Sequence, residues 1–354
     1  MTILLAGGGT AGHVNPLLAV ADALQEIAPN EQVLVLGTRE GLEATLVPAR
    51  GYELAIIPKL PFPRRPNAAA VRFPRRLAVT VRNVRSLMQE RDVRVVAGFG
   101  GYASAPAYLA SRGRAPLVIH EANAKPGMAN RLGARFADRV AVTFPNTPLE
   151  RAEVTGMPMR REITRLDRSA LRLEAREFFR LDEERPVLLV TGGSQGALRI
   201  NTTIREAGQE IISAGWQILH VVGRLSPFED PEVDGYRVVE YCDRMDLAFA
   251  AASAVVSRAG ASTASELMAV GLPTLFIPYP VGNGEQAINI RSFVSKGAAR
   301  TIDDASFTPE WARQNLIPWL RDGEGLSAMA AAAASAGTRD GAEAVARMIL
   351  DAQS

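Results

Sequence analysis

Cysteine is almost missing from this sequence: Cys242 stands alone among 354 residues. A single thiol excludes an intramolecular disulfide and a cysteine-based metal cluster. Histidine is scarce as well, with His13, His120 and His220 only. Neither Asp-x-Asp nor a His/Asp/Glu cluster stands at ligand spacing near a predicted strand end, and Asp303-Asp304 reads as a plain loop pair, so no metal is expected. No apolar run reaches the roughly 18 residues that span a bilayer. Met1-Thr2-Ile3-Leu4-Leu5 runs straight into glycines and reads as a first strand rather than a secretory leader. These absences point to a cytosolic chain. Acidic residues are absent from Lys59 to Met88, a stretch that holds eight cations: Lys59, Arg64, Arg65, Arg72, Arg75, Arg76, Arg82 and Arg85. Apolar residues, Phe62 and Phe73 among them, interleave with the cations. That pairing suits an anionic membrane surface, with Arg64, Arg65, Arg72, Phe73, Arg75 and Arg76 as the patch. A solvated arginine face on an ordinary amphipathic helix explains the same pattern. With only two aromatic rings in the stretch and a net charge of +2 overall, no nucleic-acid partner is expected.

What is present is a strand–glycine turn–helix pattern written twice. Gly7-Gly8-Gly9-Thr10-Ala11-Gly12-His13 follows the apolar run Ile3–Ala6, and Gly192-Gly193-Ser194-Gln195-Gly196-Ala197 follows Val187–Thr191. Such turns offer backbone N–H groups and a helix N-terminus to phosphate. The length suits two domains, each with its own core. Short apolar runs recur in both halves: Ile3–Ala6, Gln32–Leu36, Leu54–Ile57, Val93–Ala97, Leu117–Ile119 and Arg139–Val142, then Val187–Val190, Ile218–Val222, Val238–Tyr241, Ala254–Val256 and Thr274–Ile277. Separated by helical stretches, they predict parallel sheets covered on both faces. The domain boundary is expected between Gly156 and Arg185. Two alanine-rich helices, Leu326–Ala336 and Ala342–Leu350, close the chain, and the last could pack back on the first domain.

Several residues invite a chemical role. Asn15-Pro16 predicts a helix start, which leaves His13 in the loop before it. An imidazole there can take a proton from a hydroxyl as a bond forms at that oxygen, or simply bond to backbone. His120 and His220 lie in buried-looking strands and are expected to be structural. In Ser257-Arg258-Ala259-Gly260-Ala261-Ser262-Thr263-Ala264-Ser265-Glu266, Ser262 or Thr263 can cap the following helix. Glu266, about one turn in, could accept two ribose hydroxyls or merely complement the helix dipole. Gln286 and Asn289, three apart, share a helix face and suit sugar hydroxyls or simple capping. Gly7–Gly12 also satisfies G-x-G-x-x-G; no acidic residue ends the second strand to take an NAD ribose, although Arg39 could serve NADP, and one dinucleotide site leaves the second turn unexplained.

Six motifs in order, Gly8 to His13, Gly98-Phe99-Gly100-Gly101-Tyr102-Ala103-Ser104, His120-Glu121-Ala122-Asn123, Gly192 to Ala197, Arg258 to Ala261 with Glu266, and Gln286 with Asn289, resemble the MurG-type peptidoglycan N-acetylglucosaminyltransferases of glycosyltransferase family 28. The resemblance covers nearly the whole chain. It implies an α/β GT-B fold, two Rossmann-like parallel-sheet domains facing a central cleft. The acceptor and membrane domain would be 1–160, with a helix at about 338–354 packing back on it, and the UDP-sugar domain 161–337. The implied reaction is inverting, metal-independent transfer of GlcNAc from UDP-GlcNAc, a co-substrate rather than a cofactor, to the muramoyl C4 hydroxyl of undecaprenyl-linked lipid I, giving lipid II. By the resemblance His13 is the base. Gly9, Thr10, Gly12, Gly100, Gly101 and Tyr102 hold the acceptor diphosphate. Thr10, Ala11, Gly12, Asn123, Arg160, Ser194, Cys242, Met245, Ala261, Ser262, Thr263, Glu266, Gln286 and Asn289 serve UDP-GlcNAc, with uracil near Cys242 to Met245. The implied location is peripheral, on the cytoplasmic face of the cell membrane, with cell-wall and division proteins as possible partners. The family usually has Gln at Ala122, Asn at Met157 and, in many members, Gln at Glu285. Two other readings remain: a related GT-B transferase with a different lipid or natural-product acceptor, and a non-catalytic nucleotide-sugar-binding subunit.

Overall fold

The computed structural model describes residues 1–63, 68–226, 228–281 and 283–353. The chain divides into two units, Met1–Arg160 with Arg339–Ser354, and Arg161–Thr338.

In the first unit seven strands form one parallel sheet: β1 (Thr2–Ala6), β2 (Gln32–Gly37), β3 (Glu53–Ile56), β4 (Val93–Gly98), β5 (Leu117–Glu121), β6 (Arg139–Val142) and β7 (Ala152–Val154). Their order is β3-β2-β1-β4-β5-β6-β7. β1 explains why the first apolar run is continuous rather than alternating. Ile3 and Leu5 point to one face and pack with helix Ala11–Ile27, while Leu4 and Ala6 point to the other and meet Val84, Met88 and Ala107. Both faces are covered, so every position favours an apolar side chain. The helix Gly341–Gln353 completes the first face by placing Val345, Ala346, Met348 and Ile349 among Val14, Leu17 and Leu18.

The second unit repeats the plan with β8 (Val187–Thr191), β9 (Gln217–Val221), β10 (Tyr236–Val239), β11 (Ala254–Ser257), β12 (Thr274–Phe276) and β13 (Arg300–Thr301), ordered β10-β9-β8-β11-β12-β13. In both sheets the order reverses direction beside the first strand, between β1 and β4 and between β8 and β11. Crevices at the carboxyl ends of such strands are where doubly wound sheets bind ligands. The glycine turns follow β1 and β8, and the segments at 98–104 and 258–260 follow β4 and β11. Topology therefore brings each glycine turn next to a second motif distant in sequence.

Two helix starts differ from expectation. The first helix begins at Ala11, with extended Thr10 (φ −128°, ψ 160°) as N-cap, and the amides of His13 and Val14 both donate to the Thr10 carbonyl at 3.1 Å. Pro16 thus lies inside the helix, where its missing N–H removes only the bond to the Gly12 carbonyl and its ring is buried. His13 consequently sits in the first turn of a helix rather than in a free loop. Likewise helix Ala261–Ala269 starts from extended Gly260, so Ser262 and Thr263 are inside its first turn and cap nothing.

Candidate functional site

In the first unit two glycine segments touch backbone to backbone. Gly101 adopts φ 86°, a left-handed conformation that glycine alone takes without strain, and any Cβ on it would overlap the Gly8 carbonyl oxygen. Ser104, fully buried, ties the two segments by donating from Oγ to the carbonyls of Ala6 (2.9 Å) and Gly100 (2.7 Å). The half-buried His13 ring lies against Gly100, where an added Cβ would stand 3.1 Å from Nε2. On the ring's other side, Thr10 Oγ1 and His13 Nδ1 share a hydrogen bond of 3.2 Å. Thr10 is exposed, Ala11 and Gly12 follow it in the first turn, and no side chain caps helix Ala11–Ile27, which suits this helix end to an anion. Tyr102 is 37% exposed beside this segment, and Lys59 Nζ lies 5.2 Å from its ring centroid.

The Gly9 amide, by contrast, is already engaged. It donates to Glu43 Oε2 at 2.7 Å, while Glu43 Oε1 accepts from the Thr38 amide and hydroxyl, each at 2.8 Å. Burial pushes the Glu43 carboxyl up, but the amides of Gly9 and Thr38 outweigh it and hold the group below the ordinary carboxylate range. Sequence reasoning missed Glu43, which belongs to no motif; its one signal is the surrounding run Gly37-Thr38 and Gly41.

Glu121, also buried, accepts from the amides of Asn123 (2.9 Å) and Gly127 (3.0 Å) and from Asn130 Nδ2 (2.9 Å). Its burial wins over these donors and pushes the carboxyl up. Asn130 is held in turn by the Tyr108 hydroxyl, which donates to Oδ1 at 2.7 Å. This network sets the loop that carries half-buried Asn123.

From residue 68 onward the cationic stretch lies in helix Ala68–Glu90. Its outer face presents Arg72, Arg75, Arg76 and Arg82 with Val71 at 82% and Val79 at 51% exposure, while Thr80, Val84 and Met88 face inward. Half-buried Phe73 meets Phe62 at 5.2 Å between ring centroids. Arg64 and Arg65 lie outside the described residues. No described helix is long and apolar enough to cross a membrane.

In the second unit the turn after β8 opens a groove of about 1090 Å³, lined by Ser194, Gly196, Arg199, Arg258, Thr263 and Gln286 among others. Gly196 (φ 85°) packs so tightly on the Val222 carbonyl that a Cβ would overlap it. Helices Leu198–Glu206 and Ala261–Ala269 both start at this groove without a side-chain cap, whereas Arg168–Phe179, Pro309–Trp311 and Gly323–Ala336 are capped by Asp167, Thr308 and Asp322. Open N–H groups at the first two favour an anion there. Arg258, which follows β11, is held by the carbonyls of Ile277 (3.1 Å) and Pro278 (3.3 Å) and by Asp304 at 2.6 Å. Asp304 is therefore not a plain loop residue: it lines the groove and orients the arginine. Arg160 belongs to the first unit and is not among the groove's lining.

The predicted amide pair shares a face of helix Glu285–Asn289, with half-buried Gln286 at the groove and Asn289 enclosed behind it. Gln286 Oε1 accepts the amides of Ala259 (3.1 Å) and Tyr279 (2.9 Å), and Asn289, fully buried, donates to the Ala259 carbonyl at 3.4 Å. The Asn289 amide braces the loop after β11. Ala261 is 8% exposed and Cys242 likewise buried, Met245 begins helix Met245–Ala251, and Ser262 and Glu266 are half-buried. His220 is bonded to Tyr236 Oη (2.7 Å) and Asn201 Oδ1 (3.0 Å), and His120 meets the Gly156 carbonyl and Thr143 Oγ1 at 3.3 Å each. Among the described residues no group of three His, Cys, Asp or Glu gathers at metal-binding distance.

Comparison with known proteins matches residues 3–142 to the glycosyltransferase family 28 N-terminal domain and 187–345 to the family 28 C-terminal domain. The chain belongs to glycosyltransferase family 28. A relative from Clavibacter sepedonicus, named UDP-N-acetylglucosamine--N-acetylmuramyl-(pentapeptide) pyrophosphoryl-undecaprenol N-acetylglucosamine transferase, is 59% identical, covering 99% of this chain and 97% of its own. One of the same name from Leifsonia xyli is 55% identical over 98% and 97% of the two chains. The crystal structure of Acinetobacter baumannii MurG superposes with TM-score 0.81 at 28% identity, covering 99% of each chain. Family 28 membership makes this chain a glycosyltransferase built from two Rossmann-like units.

Proposed function

We propose that this family 28 enzyme transfers GlcNAc from UDP-GlcNAc to the C4 hydroxyl of the muramoyl sugar in undecaprenyl-diphosphate-MurNAc-peptide, making lipid II. The observation that carries the reading is the name shared by relatives up to 59% identical over essentially the whole chain. The geometry supports it. UDP lies in the groove after β8, its diphosphate on the turn at Ser194 and the open helix N-termini, with Arg258 supplying positive charge. The acceptor diphosphate lies at Thr10, Gly12 and the 100–102 segment. In the tautomer that donates Nδ1–H to Thr10 Oγ1, Nε2 is the ring atom that takes the hydroxyl proton. As the new C1–O bond forms and the bond to UDP breaks, the departing charge is met by backbone N–H groups and Arg258, so no metal is needed. Helix Ala68–Glu90 rests its cationic, partly apolar face on the anionic cytoplasmic leaflet, which keeps the lipid-linked acceptor within reach.

The test is glycosyl transfer to a short-chain lipid I analogue in EDTA. Wild type is expected to turn over, and His13→Ala to lose about 10²–10⁴-fold in kcat, the usual contribution of a general base. No product from wild type, or full activity in the variant, overturns the corresponding claim.

A further inference from the structure

Glu43 is 1% exposed, and three glycines make room for it. A Cβ built on Gly8, Gly37 or Gly41 would overlap its carboxyl or stem. None of the three has a positive φ, so glycine supplies space for this side chain there rather than backbone freedom. Backbone amides and the Thr38 hydroxyl hold its charge. The Gly8 backbone is thus held between Glu43 on one side and Gly101 on the other. One residue beyond the Gly9 amide stands Thr10, which N-caps the first helix and bonds His13.

We propose that Glu43 is the positioning residue of the first glycine turn: by accepting the Gly9 amide it fixes the turn that sets Thr10 and His13, and it withdraws that amide from anion binding. Part of this rests on the transferase role given to His13. A carboxylate has acceptors at both ends, whereas an amide has one, so Glu43→Gln must set a donor against either Gly9 or Thr38. Glu43→Asp keeps the charge but is one methylene too short to bridge both.

Two readouts decide the matter, taken on the full chain. Amide hydrogen exchange at Gly9 and Thr38 is expected to quicken at least ten-fold at one or both sites in each variant. The kcat with the lipid I analogue is expected to fall roughly 10–100-fold, as small misplacements of a catalytic group do, with UDP affinity within two-fold of wild type. Unchanged exchange, kcat within two-fold of wild type, or loss of UDP affinity in parallel with kcat each overturns the proposal, the last by showing a general loss of fold. Inactive wild type would refute the transferase reading, while exchange at Gly9 would still report whether Glu43 holds the turn.

Discussion

Three histidines illustrate how surroundings decide a residue's use. His220 is enclosed by Tyr236, Asn201 and Phe228, and burial holds its ring down to about 3; burial likewise brings His120 to about 4, against a weak pull from the Gly156 carbonyl. Both stay neutral in the fold. An exposed imidazole protonates near 6.5, so below that pH the unfolded chain takes protons that the native one refuses. Stability is therefore complete above about 6.5 and is lost as pH falls toward the folded values. Between about pH 6.5 and pH 5 each such ring removes about 2 kcal/mol. Urea midpoints at the two pH values check this, and His220→Gln should have a shallower pH dependence than wild type; an identical slope would refute it. The burial of these two strands was readable from their apolar flanks. The partners of His220 were not, since Asn201 and Tyr236 come from other parts of the second unit. Glu43 escaped sequence reading for a related reason: a buried carboxylate is recognised by the donors around it, and those come from the ends of β1 and β2.

At the scale of elements, the strands with continuous apolar runs were legible, edge strands β3 and β10 included, and the edge strands β7 and β13 were not. β7 and β13 are short and mostly exposed, so no burial pattern marks them. Helix starts were misread wherever a local rule met a tertiary one. Asn-Pro is a sound signal for a start, yet the left-handed turn at Gly9 (φ 94°) lets the helix begin five residues earlier. The 100–101 segment depends on contact between elements, and Gly101→Ala tests it. The left-handed backbone alone costs about 1–2 kcal/mol, and overlap with Gly8 adds to it. Acceptor turnover is expected to fall at least ten-fold with UDP binding unchanged, measured by initial rates and calorimetry. Helix Ala68–Glu90 carries a separate prediction. Replacing Arg72, Arg75 and Arg76 by Gln should weaken binding to vesicles of anionic lipid by roughly 10²-fold or more at low salt, at about 1 kcal/mol per cation. Raised salt should weaken wild type in the same direction. Sedimentation of the variant with such vesicles at wild-type level would refute the membrane role.

For the whole molecule, each unit carries its own sheet and core, and the first borrows its last helix from the far end of the chain. Ending the chain at Thr338 would expose the face that Val345, Met348 and Ile349 cover, worth on the order of 5 kcal/mol. The first unit should then melt roughly 10–20 °C lower, while UDP binding by the second is retained; differential scanning calorimetry with and without UDP reads both. An unchanged first transition would show that the helix adds no stability.

From the sequence by itself came the class of fold, the two phosphate-type turns and the ordered motifs of family 28. These are local patterns, and burial on both faces of a parallel sheet writes them directly into residue order. Tertiary structure alone decided which polar groups brace the loops around the two glycine turns. Gln286 and Asn289 turned out to hold Ala259, Asp304 to hold Arg258, and Glu43 to hold Gly9. Each outcome depends on where hydrogen-bond partners from separate strands converge, and sequence spacing carries no record of that convergence.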